Sequence, residues 1–194
     1  MRHTSLASSF LGLVSFALAA CSGPVPGAAS ASPAGVSSGS LTAASTSTPA
    51  LDALKRGGTF MFALDESDPA ARFREECKTE SGGDAARADA CYARVRDVGA
   101  HEGIRFAFDA NEHLVWTSFG IEEGREVLYI EAPLAVATAG DHVVVGTPVA
   151  TPTGSQLEGK PFPPGTAIHF EVIDDSTVVM NDPPKGRLVF HRTR

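Results

Sequence analysis

Three groupings in this 194-residue sequence carry residue types that could do chemistry. Cys77, Cys91 and His101 are soft metal-ligand types, but their Cys-x13-Cys-x9-His spacing fits no standard zinc pattern. Gly35-Val36-Ser37-Ser38-Gly39 matches the G-x-S-x-G form of serine hydrolases. That form works only where a buried strand turns sharply into a helix and exposes the serine, and neither flank of Ser37 has strand or helix character. The third grouping is carboxylate-rich. Asp65-Glu66-Ser67-Asp68 could approach a cation, but Asp68-Pro69 is better explained as a helix N-cap followed by a first-turn proline. Asp109, Asn111 and His113 are the residue types of a turn, and the glycine of a calcium loop is absent. Glu122-Glu123 and Asp174-Asp175 are adjacent pairs, which strand geometry sends to opposite faces, so neither suits cooperative acid–base work. His101, His113, His142, His169 and His191 are scattered, with no H-x-x-x-H pair among them. No catalytic residue, metal ligand or cofactor site is assigned, and the chain reads as a non-enzyme.

The remaining cysteine, Cys21, stands elsewhere. Met1-Arg2-His3 precedes an apolar and small-residue run from Leu6 to Ala20, diluted by Ser8, Ser9, Gly12 and Ser15. This is too short and too polar for a spanning helix and has the form of a secretory signal. It ends in Leu18-Ala19-Ala20-Cys21, which resembles the lipobox of bacterial lipoproteins. The resemblance implies removal of residues 1–20 and lipidation of Cys21, which becomes the membrane anchor. Each buried methylene is worth about 0.8 kcal/mol, so two or more acyl chains hold firmly. Ser22, rather than Asp, resembles lipoproteins sorted to the outer rather than the inner membrane. The domain would then face the periplasm or the cell surface. In such an oxidising compartment the even pair left over, Cys77 and Cys91, is most simply a disulfide.

The charge balance agrees with that placement. Loss of Arg2 with the signal leaves 15 Lys+Arg against 23 Asp+Glu, a net charge of −8. Such a surface has no electrostatic reason to seek nucleic acid or anionic headgroups. Ser22 to Ala50 is almost wholly Ser, Ala, Gly, Pro and Thr, without charge or aromatic side chains. Residues 21–56 therefore form a lipidated cysteine and disordered tether, with a coil span of roughly 30 Å.

The folded domain is expected over 57–194. Thr59 to Leu64 is a β-type run. Two helices follow, from about Pro69 to Thr79 and from Asp84 to Gly99, broken at Ser81-Gly82-Gly83. Cys77 and Cys91 lie on the inner faces of this hairpin (69–98), together with Phe73, Ala88, Tyr92, Val95 and Val98. After Gly103 the period becomes two. Strands are expected around Ile104–Phe108, His113–Phe119, Glu126–Glu131, Leu134–Thr138, His142–Thr147, Thr166–Ile173, Thr177–Met180 and Arg187–Arg192. Pro133 separates two of them, and Asn181–Gly186 is a turn. The Pro/Gly-rich connection 148–165 is long enough to suggest a flap over an opening.

Eight or nine strands without crossover helices make a mainly β fold. The expected architecture is an antiparallel meander closing into a barrel, with the stapled helical hairpin after the first strand. A β-sandwich is the alternative. Gly58-Thr59-Phe60 on the opening strand, with Arg187 and Arg192 on the closing one, resembles the lipocalins. There a Gly-x-Trp packs against a basic residue from the last strand, and Phe60 takes the tryptophan's place here. The hairpin's position is similar to that in fatty-acid-binding proteins, where it covers the barrel mouth. If a barrel of this size leaves its centre unfilled, the inward Phe106, Phe108, Trp116, Tyr129, Ile168 and Phe170 would line an apolar cavity, giving a non-enzymatic module that binds a small hydrophobic molecule. The same residues also suit a plain packed core. The alternative is a structural or protein-interaction lipoprotein of the envelope with a solid core.

Overall fold

The computed structural model describes residues 48–155, 166–182 and 185–193. The signal segment, Cys21, the tether up to residue 47, the Ser37 pentapeptide and most of the 148–165 connection lie outside them.

The chain is an antiparallel meander closed into an eight-stranded barrel. Eight strands run in sequence order: β1 (Gly58–Phe62), β2 (Glu102–Phe108), β3 (Leu114–Glu122), β4 (Arg125–Ala139), β5 (Val143–Pro148), β6 (Ile168–Asp174), β7 (Thr177–Asp182) and β8 (Gly186–Arg192). β1 closes the cylinder by pairing with β8, Phe62 opposite Phe190 and Phe60 opposite Arg192. Strand alternation sends one side-chain set inward, and that set is apolar over most of the barrel: Ile104 and Phe106, Leu114 and Trp116, Ile130 and Leu134, Phe170 and Val172, Val178 and Met180, Leu188 and Phe190.

Each turn follows from its residues. Asp109 accepts from the backbone N–H of Asn111 (2.8 Å) and of His113 (2.9 Å), which folds the β2–β3 turn. Glu123 and Gly124 both have positive φ, the backbone that a two-residue hairpin needs, and join β3 to β4.

The helical hairpin sits between β1 and β2 as α2 (Pro69–Glu80) and α3 (Ala85–Gly99). Cys77 and Cys91 are joined in a disulfide. Asp84 caps α3 by accepting from the Arg87 N–H (3.1 Å). Asp65, in a short 3-10 turn before α2, holds both helices: it accepts from Arg74 and Tyr92 and lies 3.7 Å from Arg96.

The structure corrects the expectations at five places. The folded body begins before residue 57, because a helix, α1 (Pro49–Lys55), is buried through Ala50, Leu51, Ala53 and Leu54. It closes the barrel end opposite the hairpin, where the Ala50 N–H donates to Asp141 in the β4–β5 turn. Asp68 does not cap α2: its Oδ2 accepts from the Arg187 N–H (2.8 Å), tying the hairpin to β8. Pro133 does not interrupt the sheet. It pairs with Val115, its carbonyl accepts from the Val149 N–H, and β4 runs through it as one strand, which makes the strand count eight. Val98 faces solvent, 42% exposed, while Ala88 and Val95 carry the buried face of α3. Asn181 and Asp182 extend β7 rather than forming a turn.

Candidate functional site

The six residues expected to line one cavity separate into three places. Phe106, Trp116 and Phe170 meet in the barrel's middle with Phe60. Ring centroids lie 5.7 Å apart for Phe60–Phe106, 5.1 Å for Phe106–Phe170 and 6.2 Å for Trp116–Phe170. All four rings are buried, so this layer is filled by its own edge-to-face and tilted packing rather than left open. Ile168 is inward and buried at the hairpin end of β6. Phe108 is half-buried at the far end, beside a shallow groove of about 320 Å³ that it shares with Leu51, Lys55 and Val136. Tyr129 lies at the hairpin end of the barrel. It is the extra residue of a bulge, since Ser118 pairs with Ile130 and Phe119 with Leu128.

Phe60 lies beneath Arg192 of β8, whose guanidinium is 4.7 Å from the ring centroid and donates to the Gly57 carbonyl (2.5 Å). Only glycine fits at position 58. Its φ is +122°, and a Cβ there would stand 2.5 Å from the Arg192 guanidinium.

The interior changes character toward the hairpin end. The inward positions of β2, β3 and β7 that would continue the apolar ladder are Glu102, Ser118 and Asp182. Glu102 is 5% exposed, Asp182 2% and Ser118 fully buried. Neither the Ser118 hydroxyl nor either oxygen of Asp182 has a hydrogen-bond partner among the described residues. Lys185, between β7 and β8, brings its Nζ to 3.8 Å from Asp182 Oδ2. Tyr129 donates to Glu122 Oε1 (3.2 Å), and its hydroxyl lies over Gly120, where a Cβ would stand 2.1 Å from it. Gly120 pairs with Glu102, so the phenol occupies room that any other residue would close.

Burial dominates the protonation of this end. It pushes the Glu102 carboxyl up to about 7, against the pull of Lys185 and with a smaller push from Glu122. It raises Asp182 despite Lys185 beside it. It lowers Lys185 to about 8, against the attraction of Asp182 and Glu102. Tyr129 is raised by burial and by its carboxylate neighbours Glu102 and Glu122. Two acids with raised values and a base with a lowered one share a single barrel mouth, which makes this end the candidate site.

These residues escaped the sequence reading for identifiable reasons. The period-two pattern starting at Ile104 extends back one step to Glu102, but Gly103 looks like a strand start. Ser118 continues Leu114 and Trp116 without contrast. Asp182 precedes Pro183-Pro184 and has the composition of a turn.

Elsewhere, the Asp109, Asn111 and His113 trio forms its turn, with His113 Nδ1 3.1 Å from Asp109 Oδ2. Among the described residues no group of three His, Cys, Asp or Glu side chains is placed to hold a metal ion. No described helix is long and apolar enough to cross a membrane. Comparison with protein-family models, curated proteins and solved structures gives no match.

Proposed function

We propose that this chain is a lipoprotein of the bacterial envelope, anchored through Cys21, whose barrel is a non-enzymatic binding module for a small molecule with an apolar body. The supporting observation is the change inside the barrel at the hairpin end, where buried Ser118 and Asp182 carry acceptors without hydrogen-bond partners among the described residues. Each such group costs about 1–3 kcal/mol in a packed interior, a cost that a purely structural core avoids by using apolar residues. The ring layer of Phe60, Phe106, Trp116 and Phe170 forms the floor of that mouth. The ligand therefore occupies the hairpin end and does not run through the barrel.

The same ring layer favours a second reading, a structural or partner-docking lipoprotein with a solid core. Native mass spectrometry of the chain from Ser22 onward, purified without detergent beside an organic extract of the same sample, separates the two. A reproducible extra mass matching an extracted apolar molecule is expected. A bare mass, with no uptake of added fatty acids, amines, alcohols or phospholipids, would favour the solid core.

A further inference from the structure

The chemistry of the mouth narrows the ligand, an inference that rests on the binding-module reading. Its inward groups are mostly acceptors. An ionised carboxylate only accepts hydrogen bonds, and among the described residues neither Asp182 oxygen has a donor within hydrogen-bond distance, the Lys185 Nζ standing off at 3.8 Å. The Tyr129 hydroxyl is already given to Glu122 (3.2 Å). The cation that faces Asp182 is Lys185, at 3.8 Å, and its field is shared with Glu102. Arg72 on α2 opposes the charge on Lys185 from the hairpin side. The charged and titratable groups turned toward this end are thus Glu102 on β2, Glu122 on β3, Tyr129 on β4, Asp182 on β7, Lys185 after it, and Arg72 on α2. The three carboxylates outnumber the two cations, and among the described residues neither Asp182 oxygen has a donor within hydrogen-bond distance. A ligand headed by a carboxylate or phosphate would add negative charge where it is already in excess. One headed by an ammonium supplies both missing things, positive charge and several N–H donors.

We propose that the hairpin-side mouth binds the protonated amine of an amphipathic molecule, seated between the carboxylates of Glu102 and Asp182 with the Ser118 hydroxyl as a further acceptor. The apolar body of the ligand lies against Ile168 and the neighbouring inward side chains above the ring layer. Glu102, Ser118 and Asp182 are all buried, so ligand entry requires the mouth to open locally.

The test uses the chain from Ser22 onward and three twelve-carbon probes below their micellar concentrations: dodecylamine, dodecanol and dodecanoate. Trp116, the lone tryptophan and part of the ring layer, reports binding by its fluorescence. At pH 8 dodecylamine is expected to bind at least tenfold more tightly than dodecanoate, with dodecanol between them. At pH 6 the amine keeps its charge while Glu102 gains a proton and Lys185 is fully charged. Amine affinity should therefore fall several-fold, and dodecanol affinity should hold. The double variant Glu102→Gln with Asp182→Asn should bind the amine no better than the alcohol. Equal affinity for amine and acid, or a preference unchanged by pH in the unsubstituted chain, overturns the proposal, as does a preference that survives in a folded double variant. Binding of dodecanoate or dodecanol without dodecylamine would remove the amine and leave the binding module standing. Failure of all three probes would remove the binding module as well.

Discussion

At the scale of single residues, the barrel's inward positions do two different jobs. Phe60, Phe106, Trp116 and Phe170 fill space, and their ring contacts hold the middle of the barrel. Glu102 instead carries an ionisable group into a place that penalises its charge. Its folded-state value, about 7, lies above the ordinary 4.5. The folded state therefore binds the extra proton between those values, and stability falls as pH rises from about 4.5 through about 7. Glu102→Gln removes the penalty while keeping the shape of the neutral acid. The variant should be more stable than its parent at pH 8, by about 3 kcal/mol at most, and little different at pH 5. Thermal unfolding of both proteins at the two pH values reads this out. Equal differences at pH 5 and pH 8 would mean that the carboxyl is not desolvated by folding.

At the scale of elements, the two barrel ends are closed by different devices. The hairpin α2–α3 is joined by the Cys77–Cys91 disulfide and by Asp65, and Asp68 and Ser67 bond it to β8 through the Arg187 and Val189 N–H groups. The other end is closed by α1, whose Leu54 is fully buried. The local signals for α1 were present. Thr48 accepts from the Leu51 N–H (3.3 Å) as an N-cap, Pro49 opens the helix, and Gly57, with φ +64°, follows its end. At seven residues, α1 is too short to be stable alone, and its formation depends on the barrel end that receives it. Leu54→Ala should cost about 2–5 kcal/mol if α1 is part of the cooperative core. Chemical denaturation of the variant measures this, and an unchanged midpoint would show that the helix docks only loosely.

At the scale of the molecule, the proposed arrangement is a barrel held off a membrane by a tether. An acyl anchor at Cys21 would fix the location, and the barrel mouth would determine what is bound. Cys21→Ala should move the protein from the membrane fraction to the soluble fraction of fractionated cells. Continued membrane association would mean that something other than an acyl chain holds it. Removal of residues 1–20 would leave a net charge of −8, so washing with salt should not release the unsubstituted protein.

Much of this protein is written locally. The shift from helical to two-residue period after Gly103, the break at Ser81-Gly82-Gly83 and the turn chemistry at Asp109 and Glu123-Gly124 are short-range steric and hydrogen-bonding preferences, readable without knowing the neighbours. They carried the meander, the hairpin and the face on which Cys77 and Cys91 meet. The closure of β1 on β8 set Phe60 under Arg192, and strand register put Phe106, Trp116 and Phe170 in one packed layer rather than around a void. The same closure turned Glu102, Ser118 and Asp182 inward at a single mouth. Whether an inward side chain fills space or faces a ligand depends on what stands across the barrel from it. Those partners are remote in sequence, so only the tertiary structure could decide.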